Sequence, residues 1–180
     1  MAVFAFGRSL VADEVAVPVP LQMQLLAKVA GYDRNLPARA GDRVHVLVVT
    51  RPGNVESARV AAQAESALAD VESIGGLPHD QTTSAYADAP ALARLVRARR
   101  ISIVYLTPGF GDADVEAIAA ALSGGDVLSA SAVAATVPHG VVLGFDLVSG
   151  KPKLLVHLGQ ARRQHVDLSA EVLKLMRVVD

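Results

Sequence analysis

Two loops carry the residue types best suited to holding a ligand: Thr50-Arg51-Pro52-Gly53-Asn54 and Thr107-Pro108-Gly109-Phe110-Gly111-Asp112. Each follows an apolar run and precedes a helix-forming stretch. Each therefore opens onto the free backbone N–H groups of a helix start, where an anion is favoured. Arg51 adds positive charge, Asn54 a side-chain amide, and Gly109 room for close backbone approach. These three are the candidate ligand-binding residues. The plain structural alternative is that Asn54 and Asp112 cap their helices and the glycines only permit turns. Gly109-Phe110-Gly111 lacks the third glycine and the following acidic residue of a dinucleotide fingerprint, and no P-loop is present.

Other chemistry finds little support. The five histidines, His45, His79, His139, His157 and His165, include no i, i+4 pair, and no nearby carboxylate completes a metal-ligand set. With no cysteine, disulfides, thiolate metal sites and cysteine nucleophiles are excluded together. No serine sits in a G-x-S-x-G elbow, and Ser129 and Ser131 fall in a strand-like run. The carboxylates show no paired arrangement. The expectation is a protein without catalytic activity, cofactor or metal. One further cluster, Arg162-Arg163-Gln164-His165, reads either as a solvated helix end or as part of a partner-docking surface with the apolar Val172, Leu173, Leu175 and Met176. In the second reading Arg162, Arg163, His165 and Leu173 are the candidate partner-binding residues. The apolar face must cover the sheet before it can serve a partner.

These residues need a scaffold, and 180 residues suffice for one domain with a sizeable core. The apolar fraction of 52% comes mainly from Ala, Val and Leu. No apolar run reaches the roughly 18 residues of a bilayer span, so a globular chain that does not itself cross a membrane is expected. A net charge of −1 with interspersed signs argues against a nucleic-acid groove.

Helical spacing of Leu21, Leu25, Leu26 and Val29 predicts a first helix ending at Gly31. Arg43 to Thr50 and Ile101 to Leu106 read as strands buried on both faces. Helices are expected over about Val55 to Asp70, Pro90 to Arg99 and Ala113 to Leu122, with further strands at Thr82 to Ala87 and Asp126 to Ala132. Val141 to Phe145 and Leu154 to Leu158, joined through Val148-Ser149-Gly150-Lys151-Pro152, form a hairpin. A short helix, a corner and a closing amphipathic helix follow. Alternating strands and helices predict an α/β fold: a mostly parallel sheet flanked by helices in three layers, with an antiparallel C-terminal hairpin at its edge. Residues 1–20 form either a remnant of a secretory signal or an extended arm, and Asp13 to Pro20 is expected to be non-helical. Residues 21–180 form the single α/β domain.

The terminal stretch resembles the YfiR/HmsC-like family of periplasmic proteins. The matching residues are Gly140-Val141-Val142, Phe145, Gly150-Lys151, Val156-His157-Leu158, Ala161, Val166-Asp167-Leu168-Ser169 and Val172-Leu173-Lys174-Leu175. The opening helix, through Leu25-Leu26-Ala27-Lys28-Val29-Ala30, looks like the family's too. The resemblance implies an exported, often dimeric α/β protein that regulates an inner-membrane signalling protein of the diguanylate cyclase or histidine kinase type. It also favours the signal-remnant reading of the N-terminus. Two departures stand out. The paired cysteines some members carry are missing, which excludes a disulfide-based redox input, and Arg163-Gln164-His165 replaces the Ala-Gly usual at that turn. The leading expectation is a non-enzymatic periplasmic regulator. The alternative is a small-molecule-binding module using the crevice at the strand ends.

Overall fold

The computed structural model describes residues 15–180. The expectation of a signal remnant or arm falls largely on residues 1–14, outside the described residues.

The described residues enter helix α1 (Val19–Ala30) from Pro18, whose backbone is extended at φ −52° and ψ 133°, with Pro20 in the first turn. The helix thus starts inside the stretch expected to be extended. The physical reason is that Pro at a first helical turn forfeits no intrahelical hydrogen bond. Gly31 continues in right-handed geometry at φ −66°, so it ends the helix without the left-handed cap its type predicts. The one-turn α2 (Leu36–Ala40) leads into β1 (Val44–Thr50), α3 (Val55–Ala69) and β2 (His79–Ala85). Then come α4 (Ala89–Ala98), β3 (Ile103–Leu106), α5 (Asp112–Leu122), β4 (Leu128–Ser131) and a 3-10 helix (Ala134–His139). Finally β5 (Leu143–Val148), β6 (Lys151–Val156), α6 (Leu158–Arg163), α7 (Ala170–Leu173) and β7 (Met176–Val178) close the chain.

The seven strands form one sheet in the order β2-β1-β3-β4-β5-β6-β7. All neighbours are parallel except β5 and β6, which make the expected antiparallel hairpin. β1, β3 and β4 are apolar or small-residue strands because both their faces are covered. One face packs Met23, Leu26, Val60 and Leu68 from α1 and α3 against Val46, Val48, Ile103, Tyr105 and Phe145. The other packs Leu92, Val96, Val115 and Ile118 from α4 and α5 against Leu47, Val49, Val104 and Leu106.

Two expectations are corrected at the sheet's margins. The strand expected from Thr82 begins at His79; its polar sequence reflects an edge position with one neighbour. The closing helix is a single turn, and the apolar residues beyond it form β7, which pairs with β6 through Leu154↔Met176 and Val156↔Val178. A short apolar run fits either period. The open backbone edge of β6 is satisfied when this run pairs with it as a strand, so the hairpin is extended by one more strand and is not itself the edge.

Candidate functional site

β1 and β3 are neighbours whose following connections lead to opposite sides, to β2 and to β4. The loops after them therefore flank a topological switch point, the usual ligand position in an open α/β sheet. The structure brings Arg51, Asn54 and Gly109 together there. Asn54 caps α3 by accepting from the Ser57 N–H at 2.9 Å, and Ser57 Oγ accepts from the Arg51 N–H at 2.8 Å. Thr107 Oγ1 donates to the Val49 carbonyl at 2.8 Å. The Ser57 hydroxyl is therefore the donor in its 2.6 Å contact with Thr107. Gly109, at φ +102°, lies so close that a Cβ would fall 2.4 Å from Asn54 Nδ2 and 3.3 Å from Arg51 Cβ.

The Arg51 guanidinium pairs with Asp114 at 2.9 Å and lies 5.8 Å and 5.9 Å from the ring centres of Tyr86 and Phe110. Those rings meet edge to face at 5.2 Å. Burial, then the Asp114 charge, pushes the Tyr86 phenol above its ordinary pKa, with Arg51 opposing. Asp112 does not cap α5. Gly111 occupies the cap, Asp112 is the first helical residue, and its carboxylate lies 3.4 Å from His139. The three candidate residues thus tie two loops together, and the Arg51 charge is answered within the protein.

The second candidate set is placed less compactly. Arg162 and Arg163 are exposed on α6, and Leu173 is half-buried against the core. His165 takes φ +53° just after α6, with its N–H on the Arg162 carbonyl and the Val166 N–H on the Ala161 carbonyl. That is the Schellman geometry in which glycine is usual, and the His165 ring turns to Asp126 at 2.7 Å. The expected apolar face is divided: Val172 is buried in the one-turn α7, Met176 is buried within β7, and Leu175 between them is exposed.

Two features were not singled out from sequence. Among the described residues, four of the six large apolar side chains that stand exposed lie on the β5–β6–β7 extension: Leu147, Val148, Val178 and Leu175, of which only Leu175 is among the residues expected for docking. The expected first hairpin strand ends at Phe145, with Val148 in the turn, whereas β5 runs on to Val148 and carries Leu147 with it. The other is an open groove of about 530 Å³ between α5, the end of the 3-10 helix and α6, with Glu116, His139, His157 and Arg163 in its lining. Its residues come from three separated segments, which no local pattern connects.

A family model described as YfiR/HmsC-like matches residues 21–177, the span that builds the sheet and its flanking helices. The chain belongs to the YfiR/HmsC-like family. Membership supports a periplasmic regulatory role for this YfiR/HmsC-like protein. No curated protein matches it in sequence. Among solved structures it is similar to the ABC domain in complex with L-Trp from Streptococcus pneumonia, with TM-score 0.62 and 10% identity over 91% of this chain and 62% of that one. It is similar to a conserved domain protein from Vibrio cholerae O1 biovar El Tor, with TM-score 0.60 and 13% identity, covering 91% and 60%. It is also similar to a ligand-free, open substrate-binding protein with adhesive properties from Clostridium difficile, with TM-score 0.61 and 10% identity, covering 91% and 60%. At such identities the likeness shows the fold alone, and this chain spans about three-fifths of the length of those structures. Among the described residues no helix is long and apolar enough to cross a membrane.

Proposed function

We propose that this protein is an exported, non-catalytic regulator whose domain, residues 21–180, docks on the outer part of an inner-membrane signalling protein of the diguanylate cyclase or histidine kinase type. The observation that carries the docking surface is the concentration of exposed apolar side chains on the β5–β6–β7 extension. Register places Val148 on one sheet face with Lys151, Lys153 and Arg177, and Leu147 and Val178 on the other. Leu175 is 66% exposed beside them, with its carbonyl accepting from Lys153 Nζ at 3.0 Å. The extension ends on the three-residue edge strand β7, whose outer backbone groups are open to a partner strand. Arg162, Arg163, His165 and Leu173 are further positions proposed to shape the contact.

The test is the pair Leu175→Glu and Val178→Lys in the full-length protein. Both side chains are solvent-facing, so melting should be unchanged, while affinity for the membrane partner recovered by crosslinking should fall roughly 30-fold or more, the loss typical of an interface hot spot. A folded double variant that still binds and regulates would remove this surface. Loss of self-association alone would make the patch a homodimer contact instead.

A second reading, a small-molecule-binding module at the strand-end crevice, is supported by the likeness to a substrate-binding protein and to an ABC domain in complex with L-Trp. An anion there competes with Asp114 for Arg51. On this reading Arg51→Ala weakens an anionic ligand by about ten- to a hundredfold, the worth of a charge-assisted hydrogen bond. Thermal-shift screening against simple carboxylates and phosphates checks it, and equal shifts in wild type and Arg51→Ala count against it.

A further inference from the structure

We propose that the groove between α5 and α6 is a binding site for a small organic anion, with an oxyanion head held by Arg163 and His157 and a short apolar body on Ala119, Ala120 and Pro138. The groove shares no residue with the strand-end crevice and, of the candidate partner-binding residues, includes only Arg163.

Its basic end is built by fixed contacts. Arg163 Nε donates to Gln160 Oε1 at 2.8 Å, which orients the guanidinium and leaves its Nη groups as donors. That guanidinium pairs with no carboxylate among the described residues, unlike Arg51, which holds Asp114. His157 Nδ1 accepts the Gln160 backbone N–H at 3.1 Å, so the ring proton sits on Nε2 and the ring lining the groove is a donor. Gly159 allows the two groups to meet: a Cβ there would lie 3.2 Å from His157 Cε1 and 3.7 Å from Arg163 Nη1.

The rest of the site is equally fixed. Gln160 is 1% exposed, and its Nε2 donates to the Ala119 carbonyl and to Gln164 Oε1, both at 2.8 Å. Gln164 in turn donates to the Val127 carbonyl at 2.7 Å and accepts from Ser129 at 3.0 Å. This chain of buried amides locks α6 to α5 and β4, so the basic end is held before any ligand arrives. Gly140, at φ +105°, brings the chain so near α5 that a Cβ would sit 2.6 Å from that of Ala119, which narrows the groove. The Glu116 carboxylate in the same lining is taken by His139 at 3.0 Å and pairs with it instead of with Arg163. A basic pair beside an apolar floor defines an amphiphilic anion, whether carboxylate or phosphate ester.

The experiment is a titration of the isotope-labelled protein, followed by backbone amide shifts, with 4-phenylbutyrate, phenyl phosphate and the neutral 4-phenylbutanamide. Saturable shifts should centre on Ala119, Ala120 and Gln160, with the amide at least about tenfold weaker than the acid. Arg163→Gln should weaken both anions about ten- to a hundredfold, and Arg163→Lys less. Because Arg163→Gln also removes a donor to Gln160, Ala120→Glu serves as the second variant. It places a carboxylate on the exposed floor without touching the buried amides and should abolish anion binding in a protein of unchanged melting temperature. No saturation by roughly 10 mM, equal binding of acid and amide, or binding unaffected by both variants would overturn the proposal.

Discussion

Asp33→Ala should destabilise the fold by about 3–5 kcal/mol, the cost of stranding one member of a buried ion pair. The Asp33 and Arg39 side chains are 0% and 3% exposed, and their closest atoms are 2.8 Å apart. Asp33 Oδ1 also accepts the backbone N–H groups of Asn35 at 3.0 Å and Asp167 at 2.9 Å. Arg39 Nη2 donates to the His165 carbonyl at 3.2 Å, and its Nε has no protein partner. Removing the carboxylate therefore leaves a buried guanidinium and two amide donors without their acceptor, at the junction that fastens the loop after α1 to the corner before α7. Urea unfolding measures the loss. The exposed Arg34–Asp167 pair, at 3.4 Å and about half-exposed on both sides, is the internal contrast: Asp167→Ala should cost no more than about 1 kcal/mol. Replacing the buried pair together by Asp33→Leu and Arg39→Met should recover much of the loss, since the desolvation cost of both charges disappears. A loss below about 1 kcal/mol for Asp33→Ala would mean that water reaches the pair and screens it.

That junction also marks where sequence reasoning stopped. Asp33 and Asp167 are 134 residues apart, and nothing near either marks the contact. Val44 to Thr50 and Ile103 to Leu106, by contrast, announce themselves as strands because burial on both faces demands an unbroken β-branched and apolar run. β2 carries almost no such signal: at the edge its side chains meet solvent, and its polar sequence pairs with β1 through the backbone ladder plus the His45–Asp80 side-chain contact at 2.8 Å. The meeting of Arg51, Asn54 and Gly109 was legible for a topological reason, since adjacent strands with diverging connections must place their following loops side by side. How far those residues satisfy one another was not legible, because the Asp114 partner of Arg51 and the aromatic pair beside it depend on helix positions a sequence fixes only loosely. At the C-terminus the difficulty was one of period. Leu173, Leu175 and Met176 suit a helix and Met176 and Val178 suit a strand, and the open edge of β6 decides between them.

Gln22→Leu should cost about 3 kcal/mol, because one buried amide serves three segments at once and each stranded group costs about 1–3 kcal/mol. Gln22 is fully buried on α1; its Nε2 donates to the Val17 carbonyl at 2.9 Å and the Ala132 carbonyl at 3.3 Å, and its Oε1 accepts from the Tyr105 hydroxyl at 2.8 Å. The leucine keeps the volume but leaves a phenol donor and two carbonyls dry. Tyr105→Phe removes only the donor and leaves Oε1 unpaired, at about 1–2 kcal/mol. In the double variant the phenol penalty vanishes, so the two losses should sum to less than their separate total by about 1 kcal/mol or more, a coupling that a double-mutant cycle reads directly. Strict additivity would show that the hydrogen bond contributes nothing. A pH readout checks the same pair. Burial raises the Tyr105 pKa far above its ordinary 10.0, so the folded chain retains a proton that the unfolded chain releases. The stabilisation is complete below the unfolded value near pH 10 and declines as pH rises beyond it. The alkaline fall in stability should therefore be shallower in Tyr105→Phe than in the wild type; identical alkaline limbs would place the Tyr105 hydroxyl in contact with water and remove the reason for Gln22 to be buried beside it.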